Sequence, residues 1–256
     1  MTSFFIDTNA SSHNFADSEH MGGILKKAHF EPVESMEKAD IVIFNTCVVK
    51  SPAAEVFFKR VEEINNKYPH KSIIIAGCIP PKDLERLKKF SLLGIWQIHR
   101  IVEMVEETLH NNVVKMLDKS EMPPINLPKI RKNPIVEVIQ INRGCWSKSH
   151  FDKTKVDQVD LQSYSMGDIV KVAQKGVTEG VKEIWLTSED TSGYGFDIGT
   201  NLPALLREMV KIPGDFKIRV GMMVPQQVLK IRKELLEMYK QEKVFKFLHL
   251  PLQAGS

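Results

Sequence analysis

Residues 135–155 read IVEVIQINRGCWSKSHFDKTK, and the first seven of them form an extended, largely apolar run. Such a run is typical of a strand in a parallel sheet that is covered on both faces. Cys145 follows shortly after this run. Open α/β sheets and (β/α) barrels bind their ligands at the carboxyl ends of their strands. The stretch therefore predicts a buried strand followed by a loop that faces a ligand site.

The composition around this stretch is that of an ordinary globular protein, with 43% hydrophobic and 26% charged residues. The net charge of +3 permits a nucleic-acid partner but does not by itself indicate one. No apolar run approaches the roughly 20 residues that span a bilayer, and the amino terminus lacks a basic signal region. Three cysteines do not make a disulfide framework. We expect a cytoplasmic protein with no membrane segment.

The first half of the chain alternates short β-branched runs with amphipathic stretches. Strands are predicted at residues 4–6, 41–44, 73–76 and 95–98, and helices at 17–27, 52–67, 82–90 and 99–110. This alternation predicts an α/β domain over residues 1–118, with a flavodoxin-like, doubly wound parallel sheet. Residues 119–134 are rich in proline and are predicted to be a linker.

A second alternation fills residues 135–256. Strands are predicted at residues 135–141, 183–187, 217–221 and 244–250, and helices at 167–179, 202–210 and 226–240. Each crossover fits a (β/α) unit, so the pattern predicts part of a barrel. Trp185, inside one of these strands, is predicted to be a core residue.

All three cysteines follow predicted strands. Cys47 comes after residues 41–44, Cys78 after 73–76 and Cys145 after 135–141. A buried cysteine is usually just a small apolar side chain, and that alternative holds for each cysteine taken singly. The loop after the first strand should reach the same sheet edge as Cys47 and Cys78, and it offers hydroxyls where a third thiolate would complete a ligand set.

Several motifs together resemble the radical S-adenosylmethionine tRNA methylthiotransferases, and within them the archaeal and eukaryotic branch that acts on threonylcarbamoyladenosine. The motifs are TNASSHNFADSE at 8–19, NTC at 45–47, GC at 77–78, EIWLTSEDT at 183–191, DIGTNLP at 197–203, IRVGMM at 218–223 and LHLPLQAGS at 248–256. The resemblance covers essentially the whole chain.

The resemblance implies two [4Fe–4S] clusters, S-adenosyl-L-methionine as cofactor and, as substrate, tRNA that carries N6-threonylcarbamoyladenosine beside the anticodon. It also implies that Glu189, Asp190, Arg219 and Gln253 face the cofactor or substrate. For Glu189 and Asp190 the alternative is helix capping near Thr191. For Arg219 and Gln253 the alternative is a solvated loop or a sheet-edge hydrogen bond.

The departures from the family pattern fall on the cluster ligands. Cys47, Cys78 and Cys145 stand at three of the six ligand positions, while Ser11, Ser149 and Asp152 stand at the others. Iron–sulfur clusters are held mainly by thiolates, and a serine hydroxyl is barely ionised at neutral pH. We therefore expect no stable cluster at the C-x3-C-x2-C position of residues 145–152 and a labile one at best in the first domain.

The sequence ends at Ser256, after the fourth predicted barrel strand, where the family has a six-stranded barrel followed by a TRAM RNA-binding domain. We expect a fragment or a degenerate relative with low or no transferase activity. Two other classes stay open, a non-catalytic module that binds tRNA or S-adenosylmethionine and a folded chain without function. The sequence does not predict the oligomeric state.

Overall fold

The computed structural model describes residues 1–9, 11–47, 51–119, 121–144 and 160–251. Within them, the residues up to Ile130 form one compact unit and those from Arg131 onward form a second. The division falls inside residues 119–134, the segment predicted to be a linker. No helix in the described part of the chain is long and apolar enough to cross a membrane.

The first unit is built on a six-stranded sheet in which all strands are parallel. Its strands are β1 (Ser3–Asn9), β2 (Glu31–Pro32), β3 (Ile41–Cys47), β4 (Ser72–Cys78), β5 (Ser91–Gly94) and β6 (Lys115–Met116). Its helices are α1 (Ser12–Lys27), α2 (Ser51–Lys67) and α3 (Ile101–Leu109), with 3₁₀-helices at Met36–Lys38, Pro81–Asp83 and Ile98–Arg100. The spatial order β2-β1-β3-β4-β5-β6 is that of a flavodoxin-like, doubly wound fold.

Apolar side chains cover both faces of this sheet. Alternate residues of a strand point to opposite faces, so Val42 and Ile75 join a core with Phe58 of α2. Their neighbours Ile43 and Ile74 join a separate core on the other face, together with side chains of α1 and α3. Burial on both faces explains why β3 and β4 read as unbroken β-branched runs.

The proline-rich segment that ends the first unit lies along α1. The Ile130 amide donates to the Glu19 carbonyl over 2.9 Å. The imidazole Nδ1 of His20 lies 3.3 Å from the Pro128 carbonyl oxygen. A Cβ on Gly23 would lie 2.3 Å from the Lys129 nitrogen, so the glycine permits this close approach.

The second unit has a three-stranded parallel sheet of order β11-β10-β7 and a short antiparallel ribbon of β8 and β9. Its strands are β7 (Val136–Gln140), β8 (Asn142–Arg143), β9 (Gln162–Ser163), β10 (Glu183–Thr187) and β11 (Lys217–Val220). Its helices are α4 (Met166–Thr178), α5 (Leu202–Met209) and α6 (Pro225–Tyr239), with a 3₁₀-helix at Thr191–Gly193.

A buried ion pair lies beside β7. Glu137 is only 1% exposed, and its carboxylate accepts from Arg131 Nε over 2.6 Å. The same guanidinium donates to Glu179 over 2.6 Å. Gly176 of α4 packs directly on Glu137, where a Cβ would come within 3.3 Å of the carboxylate. The guanidinium therefore balances a charge that the sheet and the helix shield from water.

The α/β class is confirmed, and three of the predicted elements are wrong. The strand predicted at 95–98 lies earlier, at Ser91–Gly94, because Gly94 ends it and a turn follows. The helix predicted at 82–90 is reduced to the 3₁₀-helix Pro81–Asp83 and turns. The strand predicted at 244–250 makes a single parallel bridge, between Val244 and Ile218 of β11.

Candidate functional site

The carboxyl ends of β1, β3 and β4 bring three of the predicted site residues to one edge of the first sheet. Cys47 and Cys78 are the last residues of β3 and β4, and they are direct partners in the parallel register. Ser11 follows β1 and stands at the N-cap position of α1. The predicted grouping of Ser11 with Cys47 and Cys78 at this edge agrees with the topology.

A buried network of polar side chains fixes the start of α1 against this edge. The Asn45 amide of β3 donates to the Asn14 carbonyl and to the Ser18 hydroxyl, each over 2.8 Å. The Ser18 hydroxyl also lies 2.7 Å from the Thr8 hydroxyl of β1. Asn14 and Asn45 are almost fully buried. The network holds two strand ends and a helix start in one arrangement.

The Ser11 hydroxyl has partners of its own in this arrangement. Its oxygen donates to the Asn14 side-chain oxygen over 3.1 Å and lies 2.8 Å from the Nδ1 of His13. It is an exposed residue and does not cap α1 through its side chain. Its one proton and its lone pairs therefore take part in hydrogen bonds within the start of α1.

Gly77 lets β3 and β4 approach closely just before the two cysteines. Its backbone has φ of 112°, which side-chain-bearing residues rarely adopt. A Cβ built there would lie 2.0 Å from the Thr46 carbonyl oxygen. The glycine of the Gly-Cys motif is thus required by the backbone of the adjacent strand.

The described donors do not fit the cluster that the family resemblance implies. A cluster site needs three soft thiolates, and this edge offers two thiols and a hydroxyl. Within the described ranges, no group of three or more His, Cys, Asp or Glu residues is placed to hold a metal ion. The second predicted cluster position, with Cys145, Ser149 and Asp152, lies outside the described residues, as does Gln253.

Asp190 lies at the carboxyl end of β10 and holds two loops together. Its Oδ1 accepts from the Ser192 amide over 3.0 Å and from the Val224 amide over 3.1 Å. It also accepts from the Ser192 hydroxyl, which in turn accepts from the Val224 amide over 3.0 Å. The aspartate is therefore the N-cap of the 3₁₀-helix Thr191–Gly193, which is the capping alternative drawn from the sequence.

Burial changes the ionisation of this aspartate. Asp190 is fully buried, and the loss of water around its carboxyl raises the pKa above the usual value, against the lowering effect of the hydrogen bonds it accepts. Its second oxygen, Oδ2, has no hydrogen-bond partner in the described structure. Glu189, the neighbouring predicted site residue, is half-buried in the same turn.

Tyr194 stabilises the same loop through a buried side chain. Its side chain is completely buried, and its hydroxyl donates to the Tyr164 carbonyl over 3.1 Å. Burial raises the pKa of this phenol, so it stays protonated across the physiological range. Tyr194 thus serves the structure of the loop.

Arg219 lies on the half-exposed face of the second sheet, between two aromatic rings. Its guanidinium carbon is 4.7 Å from the centre of the Trp185 ring and 5.5 Å from that of Phe247. Trp185 and Arg219 are register partners on β10 and β11. The indole nitrogen of Trp185 donates to Glu183 over 2.7 Å. Glu183, Trp185, Arg219 and Phe247 thus form a connected group of aromatic and charged side chains.

The prediction that Trp185 is a core residue is wrong. Trp185 is half-buried, while its neighbours Ile184 and Leu186 are fully buried. Burial alternates along residues 183–186, as it does in a strand whose two faces are unequally covered. The sequence Glu-Ile-Trp-Leu gives no signal of this, because three of its four residues are apolar. Phe247, 47% exposed, had no signal either, since its segment forms no regular strand.

The comparisons with known proteins agree with the resemblance drawn from the motifs. Residues 3–94 match the uncharacterized protein family UPF0004. The chain is 40% identical to the threonylcarbamoyladenosine tRNA methylthiotransferase of Drosophila pseudoobscura pseudoobscura, over 98% of this chain and 47% of that protein. It is 39% identical to the human protein of that name, over 98% of this chain and 45% of the other.

An archaeal relative is similar over the full chain. The probable threonylcarbamoyladenosine tRNA methylthiotransferase of Pyrococcus horikoshii is 37% identical over 100% of this chain and 61% of its own length. The chain thus spans about half the length of the curated relatives it matches. Two structures of the radical S-adenosylmethionine methyltransferase TsrM from Kitasatospora setae have TM-scores of 0.57 and 0.58. Each is 9% identical to this chain, and each match covers 98% of this chain and 67% or 66% of the TsrM chain. At this identity the match shows a likeness of fold alone.

By sequence, the chain is similar to tRNA methylthiotransferases over nearly its whole length. More particularly, its eukaryotic and archaeal relatives are named threonylcarbamoyladenosine tRNA methylthiotransferases, as the motifs predict.

Proposed function

We propose that this chain keeps the scaffold and the tRNA partner of the methylthiotransferases but does not carry out their cluster-dependent transfer on its own. The observation that supports this is the donor set at the edge of the first sheet. Two cysteines end adjacent strands, and the third position is a hydroxyl that donates to Asn14. The proposed nucleic-acid partner is tRNA with threonylcarbamoyladenosine beside the anticodon, the nucleoside in the relatives' names.

The chemistry of the donors carries the argument. A serine ligates iron only as an alkoxide, and losing its proton would also break the hydrogen bond from Ser11 to Asn14. At the second position the sequence offers one thiolate with a hydroxyl and a carboxylate, Ser149 and Asp152. Hard oxygen donors suit magnesium or calcium better than a low-potential cluster. When bound, the family's cluster would supply electrons for cleavage of S-adenosylmethionine.

The test is the iron and acid-labile sulfide content after anaerobic reconstitution, with an electron paramagnetic resonance spectrum of the reduced protein. We expect less than one cluster per wild-type chain. Ser11→Cys should raise the iron content by restoring the third thiolate beside Cys47 and Cys78. Adding Ser149→Cys and Asp152→Cys should raise it again. Ser12→Cys, one residue further along in α1, is the matched control and should leave the iron content unchanged.

Activity is then measured as methylthiolated nucleoside released from digested tRNA. Wild type should give none above background. A wild-type chain that binds two full clusters and makes this nucleoside would overturn the proposal. Unchanged iron content in Ser11→Cys, with an unchanged circular dichroism spectrum, would also contradict it, because the hydroxyl would not then be what limits binding.

The aromatic surface around Arg219 favours a second candidate, a module that binds RNA without modifying it. Aromatic rings and a guanidinium on an open sheet face are suited to stacking against unpaired bases. Phe247→Ala should weaken tRNA binding several-fold with little change in its salt dependence, because stacking carries no counterion release. Tyr68→Ala, which removes a ring stacked with Lys67 in the first unit, is the control. Equal losses of tRNA affinity in the two variants would contradict this second candidate function.

A further inference from the structure

Cys47 and Cys78 are the two thiols that the structure places side by side. They are direct Cα partners on adjacent parallel strands, and each is the last residue of its strand. Both are half-buried and neither is in a disulfide. Neither side chain is fully buried, and the remaining cysteine, Cys145, lies in another part of the sequence.

Their spacing suits a covalent link. Neighbouring strands of a sheet lie about 4.8 Å apart, and the Cα atoms of a disulfide are usually about 4.4–6.8 Å apart. The register runs from Ile43 and Ile74 to the two cysteines, which are the last Cα partners of the two strands. The fold thus satisfies the separation that a bridge requires.

Each cysteine is the terminal residue of its strand. A terminal strand residue is held by fewer ladder hydrogen bonds than an interior one, so its side chain can turn toward its neighbour with little disruption. This position reduces the adjustment that bond formation needs.

We propose that Cys47 and Cys78 form a redox-active dithiol that closes to an intramolecular disulfide by exchange with a small disulfide such as oxidised glutathione. The thiolate of one cysteine attacks a glutathione sulfur, which forms a mixed disulfide and releases one reduced glutathione. The second thiolate then attacks the protein sulfur, closes the bridge and releases the other glutathione. Two protein thiols are oxidised and one glutathione disulfide is reduced to two thiols.

The pair is distinct from a cluster site because it needs no third soft donor. The hydroxyl of Ser11, which leaves the donor set short of a thiolate, has no part in disulfide exchange. The exchange can therefore be measured on the metal-free chain whether or not the proposed loss of transferase activity is correct. Closure would link β3 to β4 and remove both thiols from any metal chemistry at this edge.

The test uses the full chain, stripped of metal with a chelator, in buffers of oxidised and reduced glutathione. After acid quenching and alkylation, mass spectrometry identifies the linked peptides. We expect the Cys47–Cys78 link, the loss of two of the three thiols and an unchanged circular dichroism spectrum. Cys145→Ser should keep the link. Cys47→Ser and Cys78→Ser should each give a glutathione adduct on the remaining partner instead.

Two results would overturn the proposal. One is separate glutathione adducts on Cys47 and Cys78 of the wild-type chain, with no link between them at any buffer ratio. The other is a link from either cysteine to Cys145. Because the sample contains no iron, both results are independent of the cluster measurement that tests the proposed function.

Discussion

The two sheets of this chain differ in what covers their faces. In the first unit, β3 is buried from Ile41 to Thr46, with separate apolar cores above and below. In the second unit, β10 and β11 alternate, so that Ile184 and Ile218 are buried while Trp185 and Arg219 are half-exposed. A sheet covered on both faces serves stability, and function is left to its edge. In the second sheet β7 is buried throughout, and it is the half-exposed side of β10 and β11 that can present side chains to a ligand.

The largest expected effect on the free energy of unfolding comes from Gly77, where β4 lies against β3 in the first unit. Gly77→Ala should destabilise that unit by more than about 4 kcal/mol, because the new Cβ meets a carbonyl at 2.0 Å in a left-handed conformation. Gly221 is the matched site in the second unit, where a Cβ would lie 2.8 Å from the Leu186 carbonyl. Gly221→Ala should cost clearly less. Urea unfolding measures the loss of stability in both variants. Equal losses would contradict the expectation that the shorter Cβ contact at Gly77 is the more damaging one.

The buried charge of the second unit should give the next effect. Arg131→Met removes the guanidinium that pairs with the buried Glu137, which should cost about 3–5 kcal/mol. The first unit offers the control, since Arg60 pairs with Asp7 at 2.8 Å but is 43% exposed. Arg60→Met should cost less than about 1 kcal/mol in the same unfolding experiment. A small loss in Arg131→Met would mean that water reaches Glu137.

Alternate substitutions along a strand test the difference in coverage directly. Ile74→Ala and Ile75→Ala, on opposite faces of β4, should each cost about 2–5 kcal/mol because both side chains are fully buried. On β11, Ile218→Ala should cost as much, but Lys217→Ala should stay within about 0.5 kcal/mol. A large loss of stability in Lys217→Ala would show that β11 is covered on both of its faces.

The smallest expected effects concern how stability depends on pH, to which two aspartates, Asp40 and Asp190, contribute with opposite signs. Hydrogen bonds from the Ser3 amide and hydroxyl hold the pKa of Asp40 below its usual 3.8, so its contribution to stability is present above that pH and lost as the pH falls through the folded value. Burial raises the pKa of Asp190, so that group favours the folded state below 3.8 and disfavours it as the pH rises.

Unfolding free energies of Asp40→Asn and Asp190→Asn between pH of about 3 and 7 check these signs. Relative to wild type, Asp40→Asn should lose stability as the pH rises, whereas Asp190→Asn should gain it. Slopes of the same sign would show that the two carboxyls share one kind of environment.

The strands of the first sheet were predictable where periodicity and β-branching agree, as at residues 41–44 and 73–76. The edge site was predictable for the same reason, since Cys47 and Cys78 follow those runs directly. The two-residue strands β2 and β6 are too short to give a period. Residues 82–90 carry helical spacing, but the 3₁₀-helix that starts at Pro81 gives way to turns after Asp83.

The role of Asp190 was only half predictable. A run of Asp, Thr and Ser signals a cap, and the structure shows one. The second loop that Asp190 holds, through the Val224 amide, is more than thirty residues away in the sequence and depends on the pairing of β10 with β11. Local patterns do not encode contacts of that kind, and the stack of Phe247 on Arg219 was missed for the same reason.

The order of strands in the first sheet has a consequence for how the chain is made. After β2 has paired with one edge of β1, every later strand joins the other edge in the order of its synthesis, from β3 to β6. Each strand that leaves the ribosome therefore finds its partner already present, and no strand has to be inserted between two others. Parallel pairing is slow when distant segments must search for each other, and this order of growth shortens the search.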